Sequence, residues 1–106
     1  MKDGVVTVVI ECRAQPGRGT VLRKELAALA HTVVATEPDC LGIEMLQGDD
    51  DDTRILMYER WASREAYTGP HMQTPHISAF FDRAPDFSAG PPTITFWRSV
   101  ENIVRA

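Results

Sequence analysis

A chain of 106 residues is one domain, long enough for a core of its own but not for two. Charged residues make up 25% of it and the net charge is −4, which argues against a nucleic-acid partner, since that would call for a basic face. No apolar run approaches the roughly 20 residues of a membrane span.

Met1-Lys2-Asp3-Gly4 leads into an apolar stretch without a small-residue cleavage site, so no signal peptide is expected and the expected location is cytoplasmic. Val5–Cys12 is rich in β-branched residues and apolar at both alternating sets of positions, which predicts a strand covered on both faces. Gln15-Pro16-Gly17 turns the chain. From about Arg18 to Thr36 the period changes: Leu22, Leu26, Leu29 and Val33 recur at helical spacing, and Val21, Ala30 and Val34 widen the stripe. Glu37-Pro38-Asp39 ends that helix, because a residue before proline avoids the helical region.

Leu41–Gln47 and Thr53–Arg60 read as two strands, and the polar run Asp49–Asp52 between them makes a hairpin. That run lacks the glycine and glutamate of a calcium loop and is expected to be a solvated turn. Ser63 is the expected cap of a short helix over Arg64–Thr68, ended by Gly69-Pro70. Thr74-Pro75 opens a second helix that runs to about Arg83. Ala84–Pro92 is expected as a loop and Thr93–Val100 as the last strand. Cys12 and Cys40, outside any Cys-x-x-Cys pair, are expected as free thiols in a reducing compartment.

The order β-α-β-β-α-β predicts an α+β, ferredoxin-like domain with an antiparallel sheet, one domain over residues 1–106 with its core at about 5–100. Its helices pack on one face. Three of the strands are apolar on the other face as well, and no element remains to cover it. A homodimer joined sheet to sheet, a dimeric α/β barrel, is therefore expected.

Tyr58-Glu59-x-Trp61-x-Ser63-x-Glu65-Ala66 followed by His71-x-x-Thr74-Pro75-His76-x-x-Ala79-Phe80 resembles the antibiotic biosynthesis monooxygenase family, in which quinol monooxygenases and anthrone oxygenases fall. The turn Glu37-Pro38-Asp39-Cys40-Leu41-Gly42 is similar to that family's Glu-x-Gly-Cys turn. The resemblance implies a dimeric barrel that oxidises a quinol-like or polycyclic phenolic substrate with molecular oxygen, with no cofactor and no metal. The chain departs from it at Met57, where some anthrone oxygenases carry Asn, and at Phe81, about where they use Arg. A non-catalytic small-molecule binder and an isomerase or cyclase on the same fold are the alternatives.

Oxygenation without a cofactor needs a base to make the substrate an electron-rich anion, and a dry apolar pocket. His71 is the candidate base, since an imidazole titrates near neutral pH; the alternative is a cap or a bond to a backbone carbonyl. Trp61 and Tyr67 are candidate pocket walls, with Met57, His76 and Phe81 as further substrate-binding candidates. His76 lies five residues after His71 with Pro75 between them, so the two are not expected to meet at a metal. Glu59 shares a strand face with Met57 and Ile55 and should need a partner; a structural ion pair, with Arg98 or Arg54, or a dimer contact is expected.

Overall fold

The computed structural model describes residues 3–106. Strands β1 (Asp3–Arg13), β2 (Cys40–Gln47), β3 (Arg54–Ser63) and β4 (Thr93–Trp97) form one sheet in the order β2-β3-β1-β4, and each adjacent pair is antiparallel. Helix α1 (Gly19–Thr36) connects β1 to β2. Helices α2 (Arg64–Thr68) and α3 (Pro75–Arg83) lie between β3 and β4, with single 3-10 turns at Pro70–Gln73 and Ala84–Asp86. This is the expected ferredoxin-like α+β domain.

Local chemistry sets the boundaries. Gly17 takes a φ of +77°, a left-handed turn that suits glycine, and α1 begins two residues later. Glu37 leaves α1 in extended geometry, φ −113° and ψ 98°, as Pro38 demands. In the hairpin turn, Asp51 accepts from both the backbone N–H and the hydroxyl of Thr53, at 3.0 and 2.6 Å, so one of the aspartates locks the turn. Ser63 Oγ caps α2 by accepting from Ala66 N at 3.1 Å, and Thr74 Oγ1 does the same for Ile77 N in α3.

β4 stops at Trp97, three residues short of the expected Val100. Beyond it, Arg98 Nη1 donates to the carbonyls of Gly4 and Val5 at 3.3 Å each, so a side chain rather than the β4 backbone meets the start of β1 there.

The inner face of the sheet packs on the helices. Val6, Val8, Ile55, Met57 and Trp61 are each 3% exposed or less, and Leu22, Leu26 and Val33 meet them from α1. On the outer face, Val5, Leu46, Tyr58 and Trp97 stand 43–58% exposed. The double-sided apolar pattern of the strands thus leaves one face covered and one bare.

Candidate functional site

Between sheet and helices lies a cavity of about 50 Å³. Ile10, Met57, Glu59 and Ile94 come to it from the sheet, Leu26, Leu29 and Val33 from α1, and Tyr67, His71, Phe80 and Phe81 from the second half of the chain. It adjoins an outer groove of about 410 Å³, and the two share Cys12, Phe80, Phe81 and Pro92. Phe81 is 41% exposed, which places it at the mouth.

His71 sits in the 3-10 turn after Gly69 and is 3% exposed, so it belongs to the interior rather than the rim. Its ring packs against Trp61 and Tyr67, with centroids 4.6 and 4.9 Å away. Its Nδ1 lies 3.0 Å from both carboxylate oxygens of Glu37. A carboxylate can only accept, so Nδ1 carries the proton and Nε2 is left with a lone pair. Glu37 owes its position to the end of α1, where Pro38 forces the chain out of the helix.

His76, in the first turn of α3, brings Nε2 to the same carboxylate at 2.6 Å. The expectation that sequence spacing holds the two histidines apart is therefore corrected. They lie on different elements and converge on Glu37. Thr74 supports the arrangement: its hydroxyl donates to the His71 carbonyl at 2.8 Å while capping α3. The donor atoms of Glu37, His71 and His76 all lie within 4.8 Å of one another, close enough for a divalent ion. Contacts of 2.6 and 3.0 Å are those of N–H groups on a carboxylate.

Glu59 is 6% exposed, and among the described residues Arg54 forms no ion pair with it. The indole N–H of Trp61 donates to its Oε1 at 2.9 Å. The Arg54 expectation fails because Glu59 lies on the inner face among apolar side chains, while Arg54 is exposed. Burial raises the Glu59 pKa to about 7, against the pull of the Trp61 hydrogen bond and with a push from Glu37. Burial lowers the pKa of His71, partly offset by Glu37. The Cys12 and Cys40 thiols, both free, are raised to about 11, chiefly by burial, and Tyr67 is pushed well above its ordinary value for the same reason.

Among the described residues, no fully buried side-chain nitrogen or oxygen lacks a hydrogen-bond partner. Among the described residues, none hydrogen-bonds to His71 Nε2, the Tyr67 hydroxyl or the second Glu59 oxygen, and all three residues line the cavity. An apolar chamber with a few convergent polar groups is the usual form of a small-molecule site.

Of the residues expected at the site, Met57, Tyr67, His71 and Phe81 line the cavity. Trp61 and His76 stand behind it, the first under the His71 ring and the second on Glu37. Sequence reasoning missed the roles of Glu37 and Glu59. For Glu59 a signal existed: a carboxylate on an inward strand face without a basic residue on that face.

The Glu59 pKa has a consequence for stability. Below its ordinary value of 4.5 the group is protonated folded or unfolded. As pH rises from there to about 7 the unfolded chain ionises first, so stability falls across that window and the penalty is complete above it. The shift corresponds to about 3 kcal/mol. Glu59→Gln keeps the shape and the acceptor for Trp61 without the charge. Urea unfolding is expected to find it more stable than wild type by about that amount at pH 8 and little changed near pH 4.5.

The profile of the antibiotic biosynthesis monooxygenase family matches residues 5–83, most of the chain. A Caulobacter crescentus CB15 protein provisionally assigned as an antibiotic biosynthesis monooxygenase superposes with a TM-score of 0.83 at 27% identity, covering 94% of this chain and 93% of that one. PA3566 from Pseudomonas aeruginosa gives 0.81 at 24% identity over 94% and 99%, a likeness of fold alone. An uncharacterised Synechocystis protein, sll1783, is 26% identical over 102 residues; the match takes in 93% of this chain and 66% of that protein's length.

Proposed function

Since the chain belongs to the antibiotic biosynthesis monooxygenase family, we propose that it oxidises a quinol-like or polycyclic phenolic substrate with molecular oxygen, needing neither metal nor flavin. The observation that carries this reading is His71: Nδ1 held by Glu37, Nε2 bare, the ring set in the wall of an apolar cavity. Nε2 takes the phenolic proton. The resulting anion gives one electron to oxygen, and the two radicals combine to a peroxide. The peroxide takes the proton back from the His71 imidazolium, and loss of water from the hydroperoxide leaves a quinone, so one oxygen atom enters the product and the other leaves as water. The apolar walls keep bulk water from the radicals. Glu37 holds the tautomer that can accept a proton and steadies the imidazolium that forms.

Oxygen uptake by purified, chelator-treated protein against a panel of hydroquinones and anthrones tests the proposal. Protein-dependent uptake is expected; none with any member of the panel overturns it. A second reading, binding without turnover, draws on Met57, which is 3% exposed and gives the cavity an apolar wall where some relatives of the resembling type carry Asn. Tight binding of the same aromatics without uptake would select it.

The proposed working unit is a homodimer joined through the outer sheet face. Its support is the exposed set Val5, Leu46, Tyr58 and Trp97, continued by Val100, Ile103 and Val104 beyond β4 at 75–95% exposure. A second copy offers the same apolar surface in return. Trp97→Glu is expected to shift the protein from dimer to monomer in sedimentation equilibrium, whereas a monomeric wild type would refute the dimer. The free thiols suit a reducing compartment, which supports a cytoplasmic location.

A further inference from the structure

Base and anion account for His71 and leave Glu59 unused. Yet Glu59 is a carboxyl group 94% removed from solvent, with one oxygen on Trp61 Nε1 and the other without a protein partner, in the wall of the same cavity as His71. The Trp61 indole joins the two: it donates to Glu59 at 2.9 Å and packs on the His71 ring at 4.6 Å. Oxygenation of a phenol requires a proton to leave the substrate. His71 can return that proton to the peroxide itself, so the sequence of steps leaves Glu59 without one of its own. A reaction that takes a proton from one atom as another atom gains one gives it a task.

We infer that the cavity also interconverts keto and enol forms of a small ketone without oxygen, with His71 as the base and Glu59 as the acid. His71 Nε2 removes a proton from the carbon beside the carbonyl. The electron pair of that C–H bond becomes the C=C bond, the carbonyl π pair moves to oxygen, and Glu59 protonates that oxygen. No electron is gained or lost overall. The imidazolium then loses a proton and the carboxylate gains one by exchange with solvent. The inference rests on the site proposed above and adds a reaction class and a catalytic residue to it.

The geometry also limits the substrate. A chamber of about 50 Å³ takes only the reacting end of a molecule, the edge of one ring or a carbonyl and its neighbouring carbon. The rest of the molecule must lie in the outer groove past Phe81 and Pro92, which is apolar apart from Cys12 and Ser88. The ligand class is thus an apolar or aryl ketone with one enolisable position at its end.

Two buried titratable groups driven in opposite directions are the usual mark of a paired acid and base. Burial keeps Glu59 protonated to about pH 7 and keeps His71 neutral below its ordinary value, so both are in working form in a window below neutrality. The other groups facing Glu59 are Cys12 from β1, Cys40 from β2, Tyr67 from α2 and Glu37 from the end of α1. The two thiols, at about 11, and the phenol, higher still, do not titrate in that window.

The test is deuterium exchange at the methyl carbon of acetophenone, an aryl ketone with one terminal enolisable position, followed by proton NMR in deuterated buffer under argon. Wild-type protein is expected to accelerate exchange, with a rate that falls as pH rises through about 7. Glu59→Gln, which keeps the Trp61 contact, should bind the ketone as wild type does, exchange it about 100-fold more slowly and lose the high-pH limb. A thermal melt confirms that the variant is folded. Wild-type exchange that Glu59→Gln leaves intact would overturn the role of Glu59. No exchange in a protein that consumes oxygen with quinols would sink the inference and spare the oxygenase. Exchange without oxygen uptake on any quinol would do the reverse.

Discussion

His71→Ala is expected to lower the protein-dependent rate of oxygen uptake by about 10²- to 10⁴-fold, the usual loss for a general base. In barrier height that is about 3–5 kcal/mol. The reason is one atom. Nε2 alone combines a lone pair, a place in the cavity wall and an orientation set by a carboxylate on the far side of the ring. The alanine variant also loses the contacts to Trp61 and Tyr67, so a melt must accompany the rate. Added imidazole separates the causes: it should restore part of the rate in a folded variant, which a purely structural loss would not allow. Glu37→Gln sharpens the test. An amide can offer an N–H to Nδ1, which moves the ring proton to Nε2 and removes the lone pair from the cavity. It should therefore lose most of the rate with little change in KM. Wild-type rates in both variants would remove His71 from the mechanism.

Trp61→Ala is expected to cost about 3–5 kcal/mol in urea unfolding, as large-to-small changes in a core do. A domain of this kind has roughly 5–15 kcal/mol in all, so the loss is a fifth of it or more. Trp61 is 1% exposed and does two things. Its ring fills the space between sheet and helices beside Tyr67 and His71, and its N–H serves Glu59. Trp61→Phe divides them: most of the packing stays and the donor goes. That variant should lose less stability, and the Glu59 pKa should climb further, because the indole hydrogen bond is what holds it down. A cost below about 1 kcal/mol for the alanine variant would show that the site collapses easily and that the aromatic cluster is not the keystone described.

Much of the fold was legible because local and global signals agreed. Ser63 and Thr74 were readable as caps from residue type and position, and both accept the expected N–H. That Ile55, Met57 and Glu59 share one face of β3 followed from alternation alone, and the structure turns that face, with Trp61, inward. The site was legible only in part. His71, Tyr67, Met57 and Phe81 come from one stretch of chain and could be read as a window. Glu37 could not, because it meets His71 across 34 residues and no local pattern encodes that contact. The histidine spacing misled because helical periodicity applies within one helix, and Thr74-Pro75 starts a new one between them. Glu59 misled because an acid on an apolar face suggests a cationic partner, whereas an indole N–H and partial neutralisation satisfy it.

The place of β1 in the sheet bears on how the protein is made. β1 hydrogen-bonds to β3 on one side and to β4 on the other, and Val9 meets Thr95 86 residues away. A ribosome adding roughly 5–20 residues per second needs about 4–17 s between those two positions. For that time one side of β1 has no mate, and Ile94, which closes one wall of the cavity, has not been made. The growing chain can hold its helix and hairpin before it can close its interior. The cavity is therefore completed late in synthesis, and a nascent chain stalled before Thr93 would carry His71 and Glu37 without the wall that Ile94 supplies.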